Sequence, residues 1–154
     1  MDIRTVGIVG AGTMGSGIAT NLAQAGLAVM LVDARPGAAA GTVGQAKGFY
    51  ARAVEKGRMD GVADLASVDL VIKAVFEDFD LKARLFGELS AVVRADALIA
   101  TNTSCLRVSD LARHVSGPAR FLGLHYFSPA AVNPTVEVVQ GEATSDSTIE
   151  AALA

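Results

Sequence analysis

Two residues in the stretch GLHYFSPAAVNPTVEVV, Gly123 to Val139, are chemically out of place. His125 closes one apolar run and Glu137 sits inside another, and a lone ionised carboxylate in apolar surroundings is costly unless something pairs with it. If the turn YFSPAAVNP folds back, Glu137 can accept a hydrogen bond from one imidazole nitrogen, fixing the tautomer and favouring the charged ring. The other nitrogen is then free to take a proton. A histidine held in this way suits a hydroxyl whose carbon loses hydride, and such general-base transfer contributes about 10²- to 10⁴-fold. Glu137 would also stabilise the imidazolium that forms. A plainer reading makes the pair a capped structural histidine, or Glu137 a solvated residue on an edge strand. Spacing does not choose between them. His114 differs, because it falls in the last turn of a short helix, where a cation suits the dipole.

The second constellation is VGIVGAGTMGSGIA, with Gly10, Gly12 and Gly15 in G-x-G-x-x-G spacing after a strand and at the start of a helix. These glycines allow a tight turn, close approach of the backbone to a pyrophosphate, and packing of helix on strand. Amides of the first helical turn, around Thr13 and Met14, then face the phosphates. Eighteen residues beyond Gly15, Asp33 ends VMLVD, where its carboxylate can bond an adenosine ribose and would repel a 2′-phosphate. That arrangement favours NAD over NADP. Glycines also make ordinary turns and Asp33 could cap a helix; a methyltransferase or a flavoprotein opens in a similar way.

These groups need a frame. In 154 residues, 51% hydrophobic with net charge −3, there is room for one globular core. The absence of Lys/Arg clusters argues against nucleic acid or an anionic membrane as partner. A single cysteine and no leader pattern suggest a reducing, cytoplasmic setting, and no apolar run is long enough to span a bilayer. Short β-branched runs predict strands at Thr5 to Val9, Ala28 to Val32, Val68 to Val75, Ala97 to Thr101, Arg120 to His125 and Thr135 to Val139. Helices are predicted over Met14 to Ala25 and over Asp80 to Val93, with Leu81, Leu85, Leu89 and Val92 on one face, and a third ends at Gly117-Pro118. QAKGFYARAVEKG has helical character weakened by upstream glycines. Alternating strands and helices, with strands apolar on both faces, predict a doubly wound α/β fold: a mostly parallel Rossmann-type sheet with helices on each side.

In order along the chain, GAGTMGSGIA, VFEDFDLK, ATNTS and GLHYFSP…TVEVV resemble the L-3-hydroxyacyl-CoA dehydrogenase family over nearly the whole length. The resemblance implies an NAD-binding domain, residues 1–154, in an enzyme that oxidises an L-3-hydroxyacyl-CoA to the 3-ketoacyl-CoA. It implies a catalytic pair at His125 and Glu137 and cofactor contacts at the glycine turn, Asp33, Glu77 and Lys82. It places Ser104 near nicotinamide and substrate hydroxyl, Asn102 as a second polar contact, and Lys56 near the coenzyme A phosphates. Read alone, Glu77 and Lys82 could be a surface pair, and TNTS a polar turn capping the next helix. A non-catalytic dinucleotide-binding or redox-sensing module is the alternative to an enzyme.

The chain departs from the family pattern in several places. Ser128 stands where the family usually has Asn, with shorter reach toward the cofactor. Lys73 replaces a common glutamate inside an apolar strand and must snorkel or pair. Cys105, replacing a serine, is expected to pack as a small hydrophobe. RMDGVA shortens the region 57–64, so the third strand of the sheet is expected to be missing or out of sight. The resemblance implies a further helical domain, which closes the substrate groove and forms a homodimer, and these 154 residues are expected to be only the half that precedes it.

Overall fold

The computed structural model describes residues 2–35, 38–39, 51–54 and 64–154, with 51–54 as backbone only. Strands β1 (Thr5–Val9), β2 (Ala28–Val32), β3 (Ala51–Val54), β4 (Leu70–Lys73), β5 (Leu98–Thr101), β6 (Phe121–Tyr126) and β7 (Val136–Val139) form one sheet. Their order is β3-β2-β1-β4-β5-β6-β7. All neighbours are parallel except β6 and β7. Helices α1 (Thr13–Gln24), α2 (Phe79–Val92), α3 (Val108–Ala112) and α4 (Asp146–Leu153) are also described.

The two-residue period of the strands sorts their side chains onto two faces. Val6, Ile8, Ile72 and Leu122 join Ile18 of α1 and Ala151 of α4 in one buried cluster, and Val71, Ile99 and Phe121 join Phe86 of α2 and Leu111 of α3 in the other. Helices therefore cover both faces, and among the described side chains the core runs from β2 across to β6. The chain winds outward from β1 through β2 to β3, then returns to add β4 on the opposite side. A crevice opens where the order reverses, outside the carboxyl ends of the strands.

β1 and β2 have their predicted bounds, and the other predicted strands differ at their ends. The third strand is present: Ala51–Val54 pairs with Val29–Val32, so the helical reading of QAKGFYARAVEKG fails over these four residues. Alternation of Ala with Arg and Val suits a strand as well as a helix over so short a run. The rest of that segment, Lys56 included, lies outside the described residues. The third helix ends at Ala112, and Gly117, at φ +84°, opens a 3₁₀ turn over Pro118–Arg120. His114 thus stands beyond the helix, exposed, with its ring edge-to-face on Phe79 at 5.7 Å. On α2 the buried stripe is Lys82, Ala83, Phe86, Leu89 and Ser90, whereas Leu81 and Leu85 turn toward the crevice.

Lys73 does not snorkel, and among the described residues no acid pairs with it. Its side chain is wholly buried, Nζ donating to the Leu81 carbonyl at 3.3 Å and lying 4.4 Å from the Phe86 ring centroid. Burial, aided by nearby Lys82, pushes it down to about 7 from an ordinary 10.5. Between those values the unfolded chain holds a proton that the folded chain has released, so stability rises with pH across that window. Lys73→Met is expected to flatten this rise, which amounts to at most about 1.4 kcal/mol per pH unit. Denaturant unfolding of both proteins from pH 7 to 10 checks it.

Candidate functional site

A cleft of about 850 Å³ lies at the carboxyl ends of the strands. Its floor at β1 is the glycine turn. Gly10, at φ +107°, donates its N–H to the Val32 carbonyl at 2.7 Å, and Ala11 N donates to Asp33 Oδ2 at 2.7 Å, joining the ends of β1 and β2. A Cβ on Gly15 would collide with the Gly10 carbonyl oxygen, so this glycine is needed for helix-on-strand packing. Gly12 is different. Its φ of −75° suits any residue, and a Cβ there would meet nothing within 4 Å. Among the described residues nothing requires glycine at this point, but the position lines the cleft and caps α1 with no side-chain hydrogen bond. The donors of the first helical turn are thus open to an anion, and a dinucleotide pyrophosphate fits both the open backbone and its charge.

At the end of β2, Asp33 Oδ1 accepts from Arg35 N at 2.8 Å and Nε at 3.0 Å, and Oδ2 from Arg35 Nη2 at 3.1 Å besides Ala11 N. Burial raises this carboxyl, but those hydrogen bonds outweigh it and hold it below the usual carboxylate range.

Glu77, in the turn after β4, lines the cleft as well. It is no loose surface acid. Oε2 meets Lys82 Nζ at 2.7 Å and accepts from Thr103 Oγ1 at 2.9 Å, while Oε1 accepts from Ser104 N at 2.9 Å. Burial works against the charge, yet bonds from Lys82, Ser104 and Thr103 prevail and keep Glu77 ionised below its ordinary range. Lys82 is wholly buried, also donating to the Asn102 carbonyl at 2.9 Å, and is absent from the cleft lining. Any cofactor contact by Lys82 therefore passes through Glu77. The lysine is internal and the glutamate, partly exposed, faces the cleft, so the pair is more than the surface contact of the alternative reading.

The TNTS turn hangs from this strut. Thr103 Oγ1, buried, also accepts from Leu106 N at 3.1 Å, which turns Ser104 and Cys105 outward. Cys105 is accordingly exposed, contrary to the packed position expected of it. Thr103 took the inward place. Asn102 Oδ1 accepts from Tyr126 N at 3.0 Å, tying β5 to β6 beside His125. Ser104 and Asn102 line the cleft, as do Thr13, Met14 and Ser128.

His125 and Glu137 do meet. The antiparallel register sets them directly opposite each other on β6 and β7, with Nδ1 2.8 Å from Glu137 Oε2. Facing residues of such a pair stand close enough for their side chains to touch. Glu137 is 57% exposed and His125 21%, so the carboxylate sits on a solvated edge strand and is not a buried charge. An ionised carboxylate only accepts, so a neutral His125 in this bond carries its proton on Nδ1 and leaves the Nε2 lone pair free. His125 lines the same cleft as the glycine turn, with the Phe127 ring 4.7 Å away at 46°. Arg35, Thr103 and Phe127 were not singled out in the sequence. Their only signals were adjacency to Asp33, to the TNTS run and to His125.

Comparison with known proteins gives the family and the fold. Residues 5–154 match the family model described as 3-hydroxyacyl-CoA dehydrogenase, NAD binding domain. The chain is 37% identical to the peroxisomal bifunctional enzyme of Cavia porcellus over 96% of its own length and 22% of that protein's. It is 32% identical to the fatty acid oxidation complex subunit alpha of Idiomarina loihiensis, covering 99% of this chain and 23% of the other. In structure it resembles the (S)-3-hydroxybutyryl-CoA dehydrogenase PaaH1 of Ralstonia eutropha with a TM-score of 0.89 at 34% identity, over 98% of this chain and 59% of that one. The chain thus spans about a quarter of these curated relatives.

Proposed function

This chain belongs to the 3-hydroxyacyl-CoA dehydrogenase family as an NAD binding domain, and from that premise we propose that it provides the cofactor site and the proton-transfer pair for oxidation of an L-3-hydroxyacyl-CoA to the 3-ketoacyl-CoA. The observation that carries this reading is the 2.8 Å His125–Glu137 bond on the wall of the cleft that the glycine turn opens. The glycine turn and the first turn of α1 hold the pyrophosphate, and Asp33 and Glu77 flank it. Bound NAD supplies the hydride acceptor for the carbon that bears the hydroxyl. His125 Nε2 takes the hydroxyl proton. Glu137 holds Nδ1–H, so that the Nε2 lone pair stays free, and stands beside the charge that the ring then gains. Ser104, exposed at the end of β5, supplies a hydroxyl to the substrate oxygen. Among the described residues no helix is long and apolar enough to cross a membrane. The exposed free thiol of Cys105 suits a reducing, cytoplasmic setting.

Calorimetric titration with NADH, together with NADH formation from an L-3-hydroxyacyl-CoA by the longest polypeptide carrying this domain, tests the reading. Gly12→Val separates binding from folding. It is expected to weaken NADH at least tenfold, about 1.4 kcal/mol, because the new side chain enters the cleft. The fold should lose less than about 1 kcal/mol, the cost of a poorer helix cap. Unchanged NADH affinity in Gly12→Val would place the nucleotide elsewhere.

A further inference from the structure

Arg35 alters what the end of β2 offers to a ligand. Asp33 accepts four hydrogen bonds, two on each oxygen, from Arg35 N, Nε and Nη2 and from Ala11 N. Four is about the capacity of a carboxylate. A ribose hydroxyl can therefore bond Asp33 only by displacing one of these donors. The carboxylate is also hidden, with 9% of its side chain exposed against 68% for Arg35. A ligand arriving at this corner of the cleft meets the guanidinium first, and the acid behind it is neutralised.

Building on the dinucleotide reading above, we infer that Arg35 admits a 2′-phosphate at the adenosine end of the cleft, so that the chain takes NADP(H) as well as NAD(H). Of five guanidinium N–H groups, two are used on Asp33. The remaining three belong to the planar fork that matches phosphate oxygens. Arg35 is the only Lys or Arg lining the cleft among the described residues, so the effect rests on one side chain. The repulsion expected from a bare Asp33 is thereby cancelled at its source. A local pair that merely closed the turn would give the same hydrogen bonds in the free chain but no selectivity for the 2′ position.

The experiment titrates the 154-residue chain with NADH and with NADPH, following the fluorescence of the reduced nicotinamide, for the parent protein, Arg35→Gln and Arg35→Lys. The parent is expected to bind NADPH within about tenfold of NADH. Arg35→Gln should weaken NADPH tenfold or more while leaving NADH unchanged or tighter, since Asp33 is then free to receive the ribose. Arg35→Lys should retain part of the NADPH affinity, and added salt should weaken NADPH more steeply than NADH. If the parent binds NADH and rejects NADPH, or Arg35→Gln weakens both by the same factor, this inference fails and the NAD-binding reading stands. If neither nucleotide binds, both fall.

Discussion

Replacing His125 by glutamine is expected to lower NADH-forming turnover by about 10²- to 10⁴-fold, with NADH affinity unchanged, in the longest active polypeptide carrying this domain. Glutamine has similar length and can accept a hydrogen bond, but it cannot carry the proton away. His125 sits near the end of β6, and its partner Glu137 is 57% exposed, so the substitution leaves no buried charge behind. Loss of rate is then a loss of chemistry. A non-catalytic dinucleotide-binding module predicts the opposite, since it has no rate to lose. Parallel loss of NADH affinity would show that the ring positions the cofactor and does not accept a proton.

Glu77→Gln is expected to cost the domain about 3 kcal/mol, toward the lower end of the about 3–5 kcal/mol seen when one partner of a buried pair is removed. The asymmetry between partners sets this size. Lys82 is wholly buried and Glu77 is 37% exposed, so deleting the acid strands a cation with no access to water. The amide oxygen of glutamine can still accept from Thr103 or Ser104, which is why the lower end applies. Denaturant unfolding measures the loss, and a midpoint within about 0.5 kcal/mol of the parent would mean that the strut carries no load. The turn that presents Ser104 hangs from the same carboxylate, so the variant should also bind substrate less well. NADH-forming KM reports that second effect.

How much of this was legible in the residues differs from element to element. β1 and β2 announced both ends, because a β-branched run stops at Gly10 and at Asp33. β3 did not. Ala51–Val54 is a four-residue run whose pattern fits either secondary structure, and only its pairing with β2 decides. The His125–Glu137 pair could be suspected from two polar residues in apolar runs, and the structure joins two readings that spacing had left open, the pairing and the solvated edge strand. Glu137 is tolerated because β7 is an edge strand open to water, and it reaches His125 because an antiparallel register, invisible in a single strand, sets the two opposite each other. Pairs made across elements were the hardest to read. The TNTS turn shows it: Thr103, unremarked in the sequence, takes the inward place that Cys105 was given. Arg35 shows the converse, for it lies two residues from Asp33, yet its effect on that carboxylate depends on a side-chain conformation that spacing does not encode.

In the proposed mechanism Glu137 holds the proton of His125 on Nδ1, leaving Nε2 as a free base beside the nucleotide. Nitrogen-15 spectroscopy of the histidine rings, at a pH where they are neutral and with NADH titrated in, reads this directly. The chain has two histidines, and His114, exposed on the Phe79 ring and absent from the cleft lining, serves as the internal reference. His125 is expected to show the Nδ1–H tautomer and to shift as NADH is added, with His114 unmoved. An Nε2–H tautomer at His125, or a ring indifferent to NADH, would contradict the account.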